Sequence, residues 1–333
     1  MGKAMNPSSI RAVIVGGGTM GADIAVVLAR AGCRTTVVET AAARHEALTK
    51  HLAQGLDSLG CAYRRPLLDI QPSLQGCDWA AVDLVIECIP EKLPAKQALF
   101  AELVDLARED AVLCSNSSSF PISAIAAGLP GARRMLGLHY FMPAHLVPLV
   151  EVVLGERSDP ALGTWLHAFM RGCGSVPVLV KKDKPGFLAN RMQHALSREA
   201  FALIDEGIAS PEDVDAAVRF GFGFRFLAAG PVLQRDHAGI EVHTAAAATM
   251  YPTLSNTDVP AQALRDKVAQ GQLGMKTGKG FFDWPEDRKQ AERARYDTLL
   301  RQGLALLASE LPTIEPPTAT SPTDTPSTTG ARA

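Results

Sequence analysis

Apolar and polar positions change period along this chain. Residues 11–15 (RAVIV) form a short β-branched run, a glycine-rich turn follows, and residues 20–31 repeat apolar side chains at helical spacing up to Gly32. That pattern predicts strand, tight turn and helix. A second β-branched run over 35–38 ends at Glu39, and a helix over 42–59 is predicted after it. Short apolar runs recur at 84–88, 112–115, 135–138 and 149–153, with helical patterns such as 94–107 between them. Strands that alternate with helices predict a mostly parallel α/β sheet covered on both faces.

The texture changes after a last strand-like run at 176–180. From Phe187 onward helical patterns dominate: 190–206, a helix that starts at Pro211 behind the capping Ser210, 262–270, and an amphipathic stretch over 286–307. The glycine-punctuated residues 221–230 read as a loop. Beyond Leu311 the sequence is rich in Pro and Thr with almost no large apolar residue, too little to offset the entropy of ordering. The expected organisation is therefore a sheet domain over 1–184, a helical substrate and dimerisation domain over 185–310, and a disordered tail over 311–333. No internal repeat is present.

Composition narrows the class. A chain of 333 residues supports two domains at about 150 residues each. A formal charge of −2 with both signs interspersed argues against nucleic acid or an anionic membrane as partner. The six cysteines include no C-x-x-C pair, so neither a zinc site nor a disulfide scaffold is expected, and no metal is assigned. The first residues lack the apolar core of a signal peptide, and no apolar run approaches about 18 residues. A cytoplasmic protein is expected.

Gly16, Gly18 and Gly21 have G-x-G-x-x-G spacing between a credible strand and a credible helix, the fingerprint of a Rossmann-type dinucleotide site. The first glycine permits the turn, the second lets pyrophosphate approach the backbone, and the third lets helix pack on strand. Thr19 and Met20 lie inside the motif, where first-turn N–H groups and the helix dipole attract a diphosphate. Glu39 ends the second strand 18 residues after Gly21, placed to accept hydrogen bonds from the adenine ribose and to repel a 2′-phosphate. Arg34 lies at the wrong end of that strand and Arg44 a full turn away, so no adjacent cation is expected to accommodate NADP. NAD is the expected cofactor.

Three later segments carry candidate chemistry: CSNSSSF at 114–120, GLHYFMPAHLVPLVEVV at 137–153, and KKDKPGFLANR at 181–191. In order and spacing the chain resembles the L-3-hydroxyacyl-CoA dehydrogenase family, from the first glycine to GMKTGKGFFDW at 274–284. The resemblance implies a catalytic His139 paired with Glu151, with Ser118 and Asn190 binding the substrate oxygen and Glu91 and Lys96 lining the nicotinamide and its ribose. It also implies a homodimer formed through the helical domain. Ser117 competes with Ser118, and Glu87 with Glu91. The residue types suit the chemistry: oxidising a secondary alcohol needs a base for the hydroxyl proton, and imidazole titrates near neutral pH. A carboxylate steadies the imidazolium, and hydroxyl and amide donors stabilise the developing carbonyl oxygen.

The chain departs from the family pattern in three places. Met142 stands where members acting on CoA thioesters usually carry Asn. Arg225 occupies the loop GFGFRFLAAGP, as in relatives that oxidise free hydroxy acids or alcohols, such as gulonate, carnitine and pyridine-carboxylate dehydrogenases. The segment that supplies a long basic hairpin for CoA phosphates is short here, with only Lys50, Arg64 and Arg65 as cations. The leading expectation is an NAD-dependent oxidoreductase interconverting a 3-hydroxyacyl substrate and its 3-keto product. A CoA-independent hydroxy-acid or alcohol dehydrogenase, with Arg225 taking a substrate carboxylate, is the alternative. From another class, crystallin relatives make a non-catalytic NAD-binding protein the third.

Overall fold

The computed structural model describes residues 6–315. Eight strands form one sheet: β1 (Arg11–Val15), β2 (Arg34–Val38), β3 (Leu68–Gln71), β4 (Leu84–Glu87), β5 (Val112–Ser115), β6 (Met135–Tyr140), β7 (Leu149–Val153) and β8 (Val176–Val180). Their order is β3-β2-β1-β4-β5-β6-β7-β8. The first six run parallel and make a Rossmann sheet, whose order reverses at β1 and β4. Helices α1 (Thr19–Ala31), α2 (His45–Ser58), α3 (Leu93–Leu106), α4 (Ile122–Ile125) and α5 (Pro160–Gly172) connect them.

Alternation along β1 sorts the core into two layers. Ala12 and Ile14 face a cluster with Ile24 and Leu28 of α1, Leu52 and Leu56 of α2, and Leu166 and Phe169 of α5. Val13 and Val15 point to the other face, against Phe100 and Leu103 of α3 and Ile122 and Ile125 of α4. Central strands buried on both sides are what a parallel sheet requires.

Two features of the sheet escape the hydrophobic pattern. β3 (LDIQ) is a half-exposed edge strand with no β-branched run to announce it. β7 pairs antiparallel to β6, because residues 141–148 are too few to carry a crossover and the chain can only turn back.

The second domain is helical: α6 (Ala189–Asp205), α7 (Pro211–Ala217), α8 (Gly223–Arg225), α9 (Leu233–Ala238), α10 (Ile240–Met250), α11 (Gln262–Ala269) and α12 (Glu286–Leu306). Where a loop is expected over 221–230, a π turn at Val218–Phe222 runs into α8 through a kink at Gly221, so much of that stretch is helical. Its phenylalanines recur every second residue, a period that does not announce a helix. No residue of α6 is fully buried, and Phe220, Phe224, Val232, Ile240 and Tyr251 stand exposed. The described chain also continues past the expected end of order: residues 311–315 lie against the first domain, where Ile314 packs on the core. One isoleucine in a Pro-Thr context is enough to dock that segment. Residues 316–333, the rest of the expected tail, lie outside the described residues.

Candidate active site

Apart from Glu151, in the middle of the antiparallel β7, the candidate catalytic and cofactor groups of the first domain lie near or beyond the carboxyl ends of the parallel strands or at the start of the helix that follows. At the end of β1 the chain turns at Gly16 with φ +110°, a conformation open to glycine. A Cβ there would stand 2.7 Å from the carbonyl oxygen of Cys88, and one on Gly21 would stand 1.9 Å from that of Gly16. Neither position tolerates a side chain. Gly18 caps α1 without a side-chain hydrogen bond, so the first-turn N–H groups around Thr19 and Met20 are left for an outside acceptor. These uncapped donors beside a bare glycine fit a dinucleotide diphosphate.

Glu39 follows β2 and is almost wholly buried at 6 % exposure. Its Oε1 accepts the N–H of Ala41 at 2.9 Å, and Oε2 lies 3.1 Å from Nη1 of Arg44. This corrects the expectation that no cation adjoins Glu39. A 3₁₀ turn at Ala42–Arg44 precedes α2 and folds Arg44 back over the glycine loop, where Nη2 reaches the Gly17 carbonyl at 3.4 Å.

Beyond β4 and β5 a polar network gives the alternative serines and glutamates different partners. Glu87 is fully buried and accepts from Lys96 Nζ and Ser115 Oγ, each at 2.6 Å. Lys96 also reaches Glu91 Oε2 at 3.1 Å and the Ile89 carbonyl at 3.2 Å. Three ammonium hydrogens thus meet three protein acceptors, and Lys96 ties Glu91 to the buried Glu87. Glu91 accepts from Ser117 Oγ at 2.5 Å and from the Ser119 N–H at 3.0 Å. Burial raises the Glu91 pKa, but the bonds from Ser117, Lys96 and Ser119 outweigh it and hold the carboxyl below its ordinary value. Ser117 is buried, and its hydroxyl also accepts from Phe120 N–H. Ser118 is half-buried and has no side-chain hydrogen bond among the described residues.

The antiparallel pairing of β6 with β7 sets His139 directly opposite Glu151, which is how a separation of twelve residues becomes a contact. His139 Nδ1 lies 2.8 Å from Glu151 Oε2, with both side chains buried. The other carboxylate oxygen accepts the N–H groups of Leu188 at 3.0 Å and Ala189 at 2.8 Å, at the start of α6. Burial of Glu151 pushes its pKa up, but the hydrogen bonds from His139, Ala189 and Leu188 more than reverse that, so it stays ionised. An ionised acceptor fixes the proton on Nδ1 and leaves the Nε2 lone pair basic. Phe141 and Phe187 flank the imidazole with ring centroids 4.6 and 5.6 Å away. Phe187 holds φ +50°, a strained value for a bulky residue, in the turn that delivers two amides to one oxygen. Asn190 comes next in the first turn of α6 and lines a cavity of about 980 Å³ with His194, Arg198, Phe201 and Arg265.

Met142 follows directly after the strand of His139 and is exposed at 66 %. The turn behind it is tied to α1: the Ala144 N–H donates to Asp23 Oδ2 at 3.1 Å, and Oδ1 lies 2.7 Å from His51 Nε2. His145 Nδ1 is 3.2 Å from Oδ1 but poorly aligned, making an ion pair without a hydrogen bond. Burial of Asp23 opposes ionisation, yet His145 and His51 bring its pKa down to about 2. Nothing in the sequence pattern marks Asp23. Arg225 stands exposed at the end of α8, with no hydrogen bond or ion pair to the site among the described residues.

Comparison with known proteins fits this arrangement. Residues 11–184 match the model of the 3-hydroxyacyl-CoA dehydrogenase NAD binding domain, and residues 186–284 that of the 3-hydroxyacyl-CoA dehydrogenase C-terminal domain. The chain belongs to this family. It is an NAD-dependent oxidoreductase with a Rossmann domain followed by a helical one. Relatives include the 5-formyl-3-hydroxy-2-methylpyridine 4-carboxylate 5-dehydrogenase of Mesorhizobium japonicum, 35% identical over 85% of this chain and 94% of that protein. The 3-hydroxybutyryl-CoA dehydrogenase of Mycobacterium tuberculosis is 33% identical over 84% of this chain and 100% of its own length. Among solved structures, a 5-formyl-3-hydroxy-2-methylpyridine 4-carboxylic acid 5-dehydrogenase superposes with TM-score 0.83 at 32% identity, covering 89% of this chain and 98% of that one. A (S)-3-hydroxybutyryl-CoA dehydrogenase from Ralstonia eutropha gives 0.68 at 29% identity, covering 83% and 99%.

Proposed function

We propose that this dehydrogenase interconverts the secondary alcohol of a 3-hydroxyacyl substrate and its 3-keto product, with His139 as the base. The observation that carries this reading is the clamp on Glu151, which takes His139 on one oxygen and two backbone amides on the other. NAD, when bound, supplies the hydride acceptor. His139 Nε2 takes the hydroxyl proton, and Glu151 stabilises the imidazolium that results. Ser118 and Asn190 donate to the oxygen as it becomes a carbonyl, and in reverse they polarise the ketone. Glu91, positioned by Lys96 and Ser117, lines the nicotinamide ribose. The domain boundary at 184/185 fits this division of labour, with the sheet holding cofactor and base and α6 supplying Asn190.

One observation favours a second reading of the substrate, a free hydroxy acid or alcohol without CoA. Between α2 and β4 the chain has only 3₁₀ turns and β3, with no helical hairpin. Of its cations, Arg65 pairs with Asp57, and Arg64 lies over the Tyr63 ring. The exposed Met142 and the higher TM-score with the pyridine-carboxylate enzyme agree. Turnover followed at 340 nm on acetoacetyl-CoA and on a panel of free hydroxy acids and hydroxymethyl or formyl pyridine carboxylates separates the two. Efficient CoA turnover by Arg225→Ala would refute the carboxylate role of Arg225. NADH binding without turnover on either set would leave a non-catalytic NAD-binding protein.

The exposed aromatic and aliphatic side chains of α6 to α10 form more apolar surface than a monomer leaves in water, which supports a homodimer through this domain. Small-molecule ligands without nucleic acid suit the balanced charge. No helix among the described residues is long and apolar enough to cross a membrane, and a cytoplasmic location fits the family's metabolism.

A further inference from the structure

Away from the active site, three arginines from three separate segments converge with no carboxylate to balance them. Arg30 stands in the last turn of α1, Arg171 in the last turn of α5, and Arg64 in the 3₁₀ stretch Ala62–Leu67 that follows α2. Arg64 and Arg171 line a cavity of about 530 Å³ together with Pro7, Ala31, Ile314 and Glu315. Arg30 lies just behind Ile314: a Cβ on Gly174 would stand 2.9 Å from Ile314 Cγ1 and 3.2 Å from Arg30 Nη2.

The donors of this cluster are only partly used. Arg30 Nη2 donates to the Cys173 carbonyl at 3.2 Å, but its Nε, like the Nε of Arg64, is buried and meets no acceptor among the described residues. The guanidinium of Arg64 lies over the Tyr63 ring, a contact that engages its charge and none of its N–H groups. Glu315 is the one acidic residue on the cavity wall, and it makes no ion pair with the three arginines among the described residues. Burial draws the Arg30 pKa below its ordinary value, as befits a guanidinium held out of water without a counter-charge.

We propose that this cavity binds an oxyanion of the phosphate class, cradled by Arg30, Arg64 and Arg171. Buried donors without acceptors and cations without counter-ions are both unfavourable, and one phosphate supplies several acceptors and about two charges at once. Three guanidiniums that arrive from three segments suit a tetrahedral anion better than a planar carboxylate, which has two oxygens to share among them. The cavity is larger than a bare ion needs, and Pro7, Ala31 and Ile314 give it an apolar wall, so a small organic phosphate fits. The site is at the far end of α1 from the glycine turn, about 20 Å away along a helix of 13 residues. It is therefore distinct from the diphosphate cradle, and it does not rest on the substrate reading above. Because residues 311–315 form part of its wall, a bound anion also holds that segment against the sheet domain.

The full chain is first saturated with NADH, which fills the diphosphate cradle. It is then titrated calorimetrically with inorganic phosphate and with phenyl phosphate, against sodium chloride of equal ionic strength. Wild type is compared with Arg64→Gln, Arg171→Gln and Arg64→Gln/Arg171→Gln, with thermal melts to confirm folding. Wild type shows one saturable site; each single substitution weakens it about ten- to a hundredfold, the range of one charge-assisted hydrogen bond, and the double variant abolishes it. NADH affinity, kcat and KM measured without phosphate stay within about threefold. Tighter binding of phenyl phosphate assigns an organic phosphate, and equal binding assigns the free ion. The absence of saturable binding of either anion up to about 10 mM overturns the proposal. So does binding that both substitutions leave unchanged, or a raised KM in the variants, which would give the arginines to the substrate instead.

Discussion

Replacing Glu151 by Gln keeps the shape of the side chain and removes one charge and one acceptor. The amides of Leu188 and Ala189 both point at one oxygen, so the glutamine carbonyl settles there and its NH₂ faces His139 Nδ1. Two donors then oppose each other. The imidazole escapes by moving its proton to Nε2, the atom that has to accept the substrate proton. The imidazolium formed in turnover also loses its counter-charge, worth about 4 kcal/mol for charge centres about 4 Å apart at an effective dielectric near 20. That corresponds to a fall in kcat of about a thousandfold. The assay is initial rate at 340 nm on whichever substrate is turned over, beside NADH titration by fluorescence and a thermal melt. NADH affinity stays within about threefold, because Glu151 is fully buried and its hydrogen-bond partners are His139, Leu188 and Ala189. If Glu151→Gln retained more than a tenth of wild-type kcat with an unchanged pH profile, the pairing would not be the source of basicity.

Three further expectations follow from the same geometry. Gly21→Ala places a Cβ 1.9 Å from the Gly16 carbonyl oxygen, which costs at least about 3 kcal/mol and abolishes NADH binding; a melt and a fluorescence signal unchanged from wild type would contradict it. Ser118→Ala lowers kcat about a hundredfold with little change in melting temperature, whereas Ser117→Ala lowers the melting temperature first, and the reverse outcome would exchange their roles. Asp23 ionises at about 2 in the fold against 3.8 ordinarily, so its contribution of about 2 kcal/mol is in place above pH 4 and is lost as pH falls toward 2. The hydrogen bond to Asp23 raises the pKa of His51, which adds stability below pH 6.5 that disappears as pH rises through its folded value. Melting curves from pH 2 to 9 should show Asp23→Asn flattened on both limbs, and a curve parallel to wild type would exclude the cluster.

What the sequence discloses here is whatever repeats locally or rests on a motif. β1, the glycine turn and α1 are legible because strand, turn and helix each leave a mark within a few residues. The pairing of His139 with Glu151 is legible only through the family resemblance, since the antiparallel return that makes it a contact leaves no mark in the hydrophobic pattern. Arg44 is not, since its approach to Glu39 depends on a 3₁₀ turn rather than on the helical period assumed for 42–59. The partner of Ser117 is equally hidden, since its bond to Glu91 spans 26 residues. Asp23 lies on a helix face that the periodicity assigns to the core, and only the folded turn after β6 shows that it is buried against two histidines. The packing of Ile314 on the core is a single side-chain contact that composition does not reveal.

Glu151 belongs to the sheet, yet two of its three hydrogen bonds come from the chain that opens the second domain. The orientation of the carboxylate that holds His139 is thus set from both sides, by the imidazole on one oxygen and by the start of α6 on the other. An exchange of helical halves between relatives, with every sheet residue kept, would retune the base wherever the junction at Gly186 and Phe187 failed to aim both amides. The first turn of α6 is accordingly the least interchangeable part of an otherwise modular protein, and chimeras of such enzymes would best be joined upstream of it, before β8.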